Sequence, residues 1–334
     1  MHLAELTVAG NEASDLLRVE DAGLLTELGA RSAYWTVLDE GPVEACLALL
    51  VETDEGWSAH HVAADAGAET GRTEDGEALA RHGGWVYVIG SHFGSKRGPL
   101  RPKRAFVARF RESSAPVLQI VRHRFALHRV VNDALSELTG PASAPVHGSF
   151  IEQTRQRGLA KGKAWVDQLL DGDHPINVEG AAFTARGTLL IGLRWPVTVA
   201  GEPILVEISG VQNLFEGGTG LSVAGAYVLT GLGPGPLGVR ALSARTGGEF
   251  DVVVGSIDAL DKGSVLLDSH PEARDATCRH FRFTLPDSSP SQIKPELVYD
   301  LAPLHHVEGI SQWQGHSLYV TDEDHRIALY VPVP

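Results

Sequence analysis

Apolar and polar positions along this chain follow a strand-like period for most of its length and break into a helical period in one region. Residues 3 to 8 alternate as Leu3, Ala4, Glu5, Leu6, Thr7 and Val8, which reads as one strand with no partner nearby in sequence. Three short β-type runs follow at 32–38, 43–51 and 56–62, separated by Asp39-Glu40-Gly41-Pro42 and Asp54-Glu55-Gly56. Strands are expected next near 77–82, 85–91, 104–111 and 117–126, with alternation clearest in Phe106-Val107-Ala108-Arg109-Phe110-Arg111. Then Val130, Val131, Ala134, Leu135 and Leu138 fall on one helical face that Gly140-Pro141 ends, and a weaker helical pattern covers 150–170. The β pattern resumes at 177 and runs to the end of the chain, interrupted by a Ser/Pro-rich loop at 287–292 that reads as mobile.

Within this pattern one unit recurs. Glu179-Gly-Ala-Ala-Phe, a turn, and Gly187-Thr-Leu-Leu-Ile-Gly-Leu-Arg194 has counterparts from Glu77 to His92 and from Glu308 to Glu323; in each the closing polar residue lies fifteen positions after the opening Glu. A fainter copy runs from Arg240 to Gly255-Ser256, with two extra residues in its turn and Arg in place of Glu. Trp35-Thr-Val-Leu-Asp-Glu40 resembles Leu318-Tyr-Val-Thr-Asp-Glu323, which suggests a degenerate first copy whose opening position, counted back, falls near Leu25. Internal repeats of strand-only units decide the architecture. The expectation is an all-β fold: a β-propeller of five blades, or six if the helical region hides one, forming a single domain over residues 1–334. Residues 3–8 would close the ring with the C-terminal blade, and the helices would form an insertion at about 127–175.

Composition narrows the function. The chain has 334 residues, 43% of them hydrophobic, 21% charged and 37 of them glycine, which suits a well-packed array of short strands. Its formal charge of −14 argues against general affinity for nucleic acid or an anionic membrane face. There is no signal-peptide pattern at the start and no run approaching the roughly 18 apolar residues of a spanning helix, so a cytoplasmic location is expected. Cys46 and Cys278, the two cysteines, read as reduced, packed thiols.

At Asn177-Val-Glu-Gly-Ala-Ala-Phe183 with Gly187-Thr-Leu-Leu-Ile-Gly-Leu-Arg-Trp-Pro196, the chain resembles a bacterial family known as a domain of unknown function. That family is propeller-like and distantly similar to the esterase-like phytases. The resemblance extends to Tyr87-Val-Ile-Gly-Ser-His92, to the following Lys96-Arg97, Arg101-Pro102 and Arg104, and to His306-Val-Glu-Gly-Ile-Ser311. The sequence departs from it at Ala78, where Gly is usual, and at the Pro-rich 233–240.

In a propeller the strand that opens each repeat lines the central channel, so Glu77, Glu179, Arg240 and Glu308 would form a ring, with His92, Arg194, Asp322 and Glu323 at one end. Three gathered carboxylates repel one another unless something relieves them. Arg194 and Arg240 could pair with them, or a hard cation such as calcium could bind Glu77, Glu179, Glu308, Asp322 and Glu323. Each Glu could equally serve the fold, accepting backbone N–H groups from a neighbouring blade while the following Gly permits close approach. His92 is either a loop anchor or an acid/base group, and Arg194 either a structural partner or an anion contact. The Asp322-Glu323-Asp324 run is either a solvated turn or a cation site.

Between Lys96 and Arg111 lie seven basic residues and no acidic one. A solvated loop and an anion or phosphate site both fit; no aromatic platform interleaves with the charges as nucleic acid would need. The pairs His60-His61 and His305-His306 lack zinc-ligand spacing. No Gly-x-Ser-x-Gly elbow, phosphate loop or dinucleotide fingerprint is present.

Three functions remain open. The first is a channel that binds a small anionic molecule through Glu77, His92, Arg194, Arg240 and Glu308 with Lys96, Arg97, Arg101 and Arg104. The second, which the phytase-like resemblance implies, is a metal-assisted phosphoester or ester hydrolase with Glu179 and His92 as candidate catalytic groups. The third is a protein-interaction scaffold.

Overall fold

The computed structural model describes residues 2–7, 12–38, 41–95, 97–138, 149–218, 220–257, 270–271, 276–323 and 326–332. Strand β1 (His2–Leu6) comes first in the chain but belongs to the last sheet. Blade 1 is β2 (Ala13–Arg18), β3 (Ser32–Leu38), β4 (Leu47–Thr53) and β5 (Gly56–Val62), with helix α1 (Ala22–Glu27) between its first two strands. Blade 2 is β6 (Gly76–His82), β7 (Trp85–Gly90), β8 (Val107–Phe110) and β9 (Gln119–Val121). Helices α2 (Ala126–Ser136) and α3 (Ser149–Leu159) follow.

Blade 3 is β10 (Asn177–Phe183), β11 (Leu189–Trp195), β12 (Ile204–Ser209) and β13 (Ser222–Leu229). Blade 4 begins with β14 (Gly238–Ala244), β15 (Glu249–Gly255) and β16 (Arg279–Thr284). The chain then lends β17 (Ser291–Ile293) to blade 3, parallel to β13, before β18 (Glu296–Asp300) completes blade 4. Blade 5 is β19 (Val307–Trp313), β20 (His316–Glu323) and β21 (Arg326–Tyr330), and β1 pairs antiparallel with β21 as its outermost strand. The described residues thus form a five-bladed propeller, in which β2, β6, β10, β14 and β19 neighbour one another around the axis. Among the described residues the helical region holds no sixth blade.

The sequence pattern follows from this layering. A second strand such as β3 or β11 is covered on both faces by adjacent blades, and it reads as a nearly continuous apolar run. Outer strands such as β5 and β18 are largely solvated. The core lies between blades: Trp35 of β3 meets Phe110 of β8 edge-on at 4.9 Å, both fully buried. Helix α2 buries Leu127, Val131 and Leu135 in the apolar cluster that also holds Ile204, Val206 and Ile208 of β12, while Phe150 of α3 packs on Phe93 beside the basic loop.

Four sequence expectations are corrected. Residues 43–45 form a short helical turn before β4, and 102–104 another before β8, because Pro42 and Pro102 favour turns at those points. The stretch at 287–292 is not loop throughout: Ser291–Ile293 form β17, and ahead of it the Ser289 hydroxyl accepts the Ala226 N–H at 2.7 Å. The opening strand of the first repeat is β2, and Leu25 lies in α1; the helix lengthens the connection, so counting back fifteen residues lands inside it. Asp39, Glu40, Gly140, Pro141 and Asp324 lie outside the described residues.

Candidate functional site

The repeat's opening residues sit at β-bulges in the axial strands. Pairing with the second strand skips Glu77, Glu179, Arg240 and Glu308, and in blade 1 a bulge falls between Ser14 and Leu17. A bulge re-aims the extra side chain out of the ladder, which gives these residues a common direction the flanking ones lack. The following glycines let the axial strands touch: a Cβ on Gly180 would lie 2.8 Å from the Leu242 nitrogen, and one on Gly309 2.7 Å from the Leu16 nitrogen.

Glu179 and Glu308 of this ring are relieved by guanidinium groups. Arg194 donates from Nη1 to Glu179 Oε1 at 2.9 Å and from Nε to the Ile257 carbonyl at 3.2 Å. Asn177 donates to the same Glu179 oxygen at 2.9 Å. Arg240 forms an ion pair with Glu308. Burial and then the nearby Arg194 lower the Arg240 pKa, while Glu179 and Glu77 oppose the shift, so the charges of blades 2, 3 and 4 act on one another. With Glu179 and Arg240 buried and both arginines engaged, an incoming anion would have to displace carboxylates from them. Among the described residues no group of three or more His, Cys, Asp and Glu is placed to hold a metal ion. Asp322 lies in β20 with its N–H on the His306 carbonyl, and the Glu323 side chain is outside the described residues.

His92 is fully buried just beyond β7, at a φ of 61°. Its Nδ1 lies 2.6 Å from the Gly90 carbonyl and its Nε2 2.9 Å from His123 Nε2, with the two rings stacked at 4.9 Å. Burial pushes the His92 pKa down to about 4, and burial followed by the charge of His92 pushes His123 well below its usual value. These neutral imidazoles join blade 2 to the start of the insertion. Asp15, which sequence reasoning missed, lies in the blade 1 bulge at a φ of 63° and accepts the Leu79 N–H of blade 2 at 2.6 Å and its neighbour's at 2.7 Å. Burial raises its carboxyl to about 7, against both of those bonds.

The guanidinium partners of Glu179 and Glu308 are Arg194 and Arg240, not arginines of the basic loop. Arg101 instead lines a cavity of about 750 Å³ between the loop and the helical insertion. The blade side contributes Arg101, Lys103, Arg122 and Arg124, the insertion contributes Arg157, Lys161 and Lys163, and among the described residues no Asp or Glu lines it. Arg104 is turned away into ion pairs with Asp75 at 2.8 Å and Glu74 at 3.3 Å. Arg97 is exposed and outside the cavity lining, and Lys96 is outside the described residues. The residues from 122 to 163 were missed individually, although the shared charge of Arg155, Arg157, Lys161 and Lys163 was a readable signal in an acidic chain.

No protein-family model matches the chain, and no curated protein does. Among solved structures it is similar to an endo-arabinase from Bacteroides thetaiotaomicron VPI-5482, at 8% identity over 97% of this chain and 94% of that one, with a TM-score of 0.46. A luciferin-regenerating enzyme matches at 10% identity over 99% and 95%, with a TM-score of 0.40. A hypothetical protein from Leishmania major matches at 13% over 100% and 91%, with a TM-score of 0.42. Likeness of this degree says nothing about chemistry.

Proposed function

We propose that this propeller binds an anionic small molecule, and that the ligand sits in the basic cavity against the helical insertion rather than in the axial channel. The observation that carries the reading is the cavity lining: seven cationic side chains and, among the described residues, no carboxylate, in a chain of formal charge −14. Gathering like charges in a partly desolvated cleft raises the energy of the empty site, and a bound anion removes that cost. A cavity of about 750 Å³ also falls within the roughly 300–1,000 Å³ of small-molecule sites. The axial ring is less suited to an anion, since Glu179 and Glu308 already occupy its two arginines. A metal-assisted ester hydrolase would need a set of oxygen donors, and the described residues bring none together.

The test is a melting-temperature series in which citrate, phosphate and sulfate are added to the wild type and to an Arg157→Gln/Lys161→Gln variant. Stabilisation of the wild type, reduced in the variant, supports the reading. Equal shifts in both proteins would show that the anions act elsewhere.

A further inference from the structure

We infer that the ligand of the basic cavity is a nucleoside polyphosphate, its phosphates held by the cationic walls and its base lying against Trp165. The inference rests on the anion-binding reading above and adds the class of molecule.

Charge is the first consideration. On the blade side, Arg101 and Arg122 already have the carboxylates of Glu74 and Glu69 as partners. On the insertion side, Arg157, Lys161 and Lys163 line the cavity with no ion pair among the described residues. A single monoanion would neutralise one of these groups and leave the others facing each other. A row of phosphates on one chain supplies several charges at a spacing that the long, flexible Lys and Arg side chains can follow.

Size is the second. The cavity is several times larger than one phosphate needs and suits an organic molecule of moderate size.

Trp165 is the third. It lines the cavity together with Pro99, Leu100 and Pro102, an apolar stretch that inorganic anions have no use for. Its ring meets Phe125 at 5.1 Å and 65°, and a Cβ on Gly158 would come within 2.6 Å of it. The indole is thus fixed by its neighbours, so stacking a planar base on it costs little ordering. A nucleic-acid polymer fits less well, because the rest of this acidic protein would repel its further phosphates.

The experiment is calorimetric titration of the full chain with ATP, AMP, adenosine, inorganic triphosphate, citrate and a short single-stranded oligonucleotide. The expected order is ATP above AMP, with adenosine too weak to measure, and inorganic triphosphate on the order of 10-fold weaker than ATP. Lys161→Gln should weaken both triphosphates. Trp165→Leu should weaken ATP while sparing inorganic triphosphate, whose binding also shows that the variant is folded; Trp165→Phe, which keeps a ring, should recover part of the loss. Equal affinity for ATP and inorganic triphosphate, or equal loss of both in Trp165→Leu, would overturn the nucleoside assignment and leave the anion site standing. Binding by citrate alone would do the same. No binding by any anion would overturn both. An oligonucleotide that binds more tightly than ATP would overturn the small-molecule assignment.

Discussion

Trp313 donates its indole N–H to Glu52 Oε2 at 2.8 Å across 261 residues of sequence, joining blade 5 to blade 1. Strand β1 completes the sheet of blade 5 and also touches β5 of blade 1, with Leu6 in the apolar cluster that holds the blade 1 core. The Trp313 bond adds a polar tie across the same seam, together with Tyr34 donating to the Gln312 carbonyl at 2.8 Å. The same device recurs between blades 1 and 2, where Trp35 Nε1 donates to Glu112 at 2.9 Å, and between blades 4 and 5, where Gln312 donates to Asp251 at 3.2 Å. Buried carboxylates are costly without donors, and here each one fixes an aromatic or amide group of the next blade.

Removing the donor should therefore open the ring at its seam. Trp313→Phe removes one of two donors to Glu52 Oε2 and leaves the Ser32 hydroxyl on it at 2.7 Å, so it should cost about 0.5–1.5 kcal/mol, the net worth of one hydrogen bond. Urea unfolding of the variant, with the midpoint lowered and the slope unchanged, is the measurement; an unmoved midpoint would show that the seam is held by other contacts.

Buried His92 and, in α2, buried His128 predict acid sensitivity. Burial lowers the folded-state pKa of His92 to about 4 and of His128 to about 3, while in the unfolded chain both titrate near about 6.5. Below that value the unfolded state takes up protons that the folded state refuses. Their contribution is therefore whole above about pH 6.5 and falls by about 1.4 kcal/mol per pH unit for each group as pH drops toward 4. Asp15 works against this: its carboxyl, raised to about 7, holds a proton in the folded state that the unfolded chain has lost above its usual 3.8, so its contribution declines as pH rises across the same window. Melting temperatures from pH 7.5 to 4.5 should fall, and His128→Gln should flatten the slope. A slope unchanged by that substitution would remove His128 from the account.

The Arg240–Glu308 pair should be expensive to break. Arg240→Met leaves Glu308 without its guanidinium and Glu77 and Glu179 without a shared neighbour, for a loss of about 3–5 kcal/mol. Adding Glu308→Leu should recover much of that loss. A double variant no more stable than the single one would mean that the pair does not act as a unit.

Gly180 tests the close approach of the axial strands. Gly180→Ala puts a methyl 2.7 Å from Leu242 Cβ and 2.8 Å from the Leu242 backbone nitrogen, and should lower stability by about 1–3 kcal/mol. Calorimetric melting decides it; an unchanged melting temperature would show that the two blades can part without cost.

The sequence by itself narrowed the fold to a propeller of five or six blades and marked the opening residues of four of them, Glu77, Glu179, Arg240 and Glu308, which lie at bulges in the axial strands. The fifteen-residue spacing survives because a bulge, a hairpin and a second strand have nearly the same length in each of three blades. It failed in blade 1, where α1 lengthens the hairpin and the bulge carries Asp15 and Leu16. The sign of the basic loop was legible, as was the possibility that arginine would neutralise the ring. Which carboxylate each arginine meets was not, since Arg194 and Glu179 are 15 residues apart while Arg240 and Glu308 are 68 apart. Only the tertiary structure separated the anion candidates into an axial ring whose arginines are paired and a cavity in which Arg101 and Arg122 are paired but Arg157, Lys161 and Lys163 are in no ion pair among the described residues. The physical reason is that a charge's availability depends on its nearest neighbours in space, and Arg101 acquires Lys161 and Trp165 as neighbours only when the insertion folds back over blade 2.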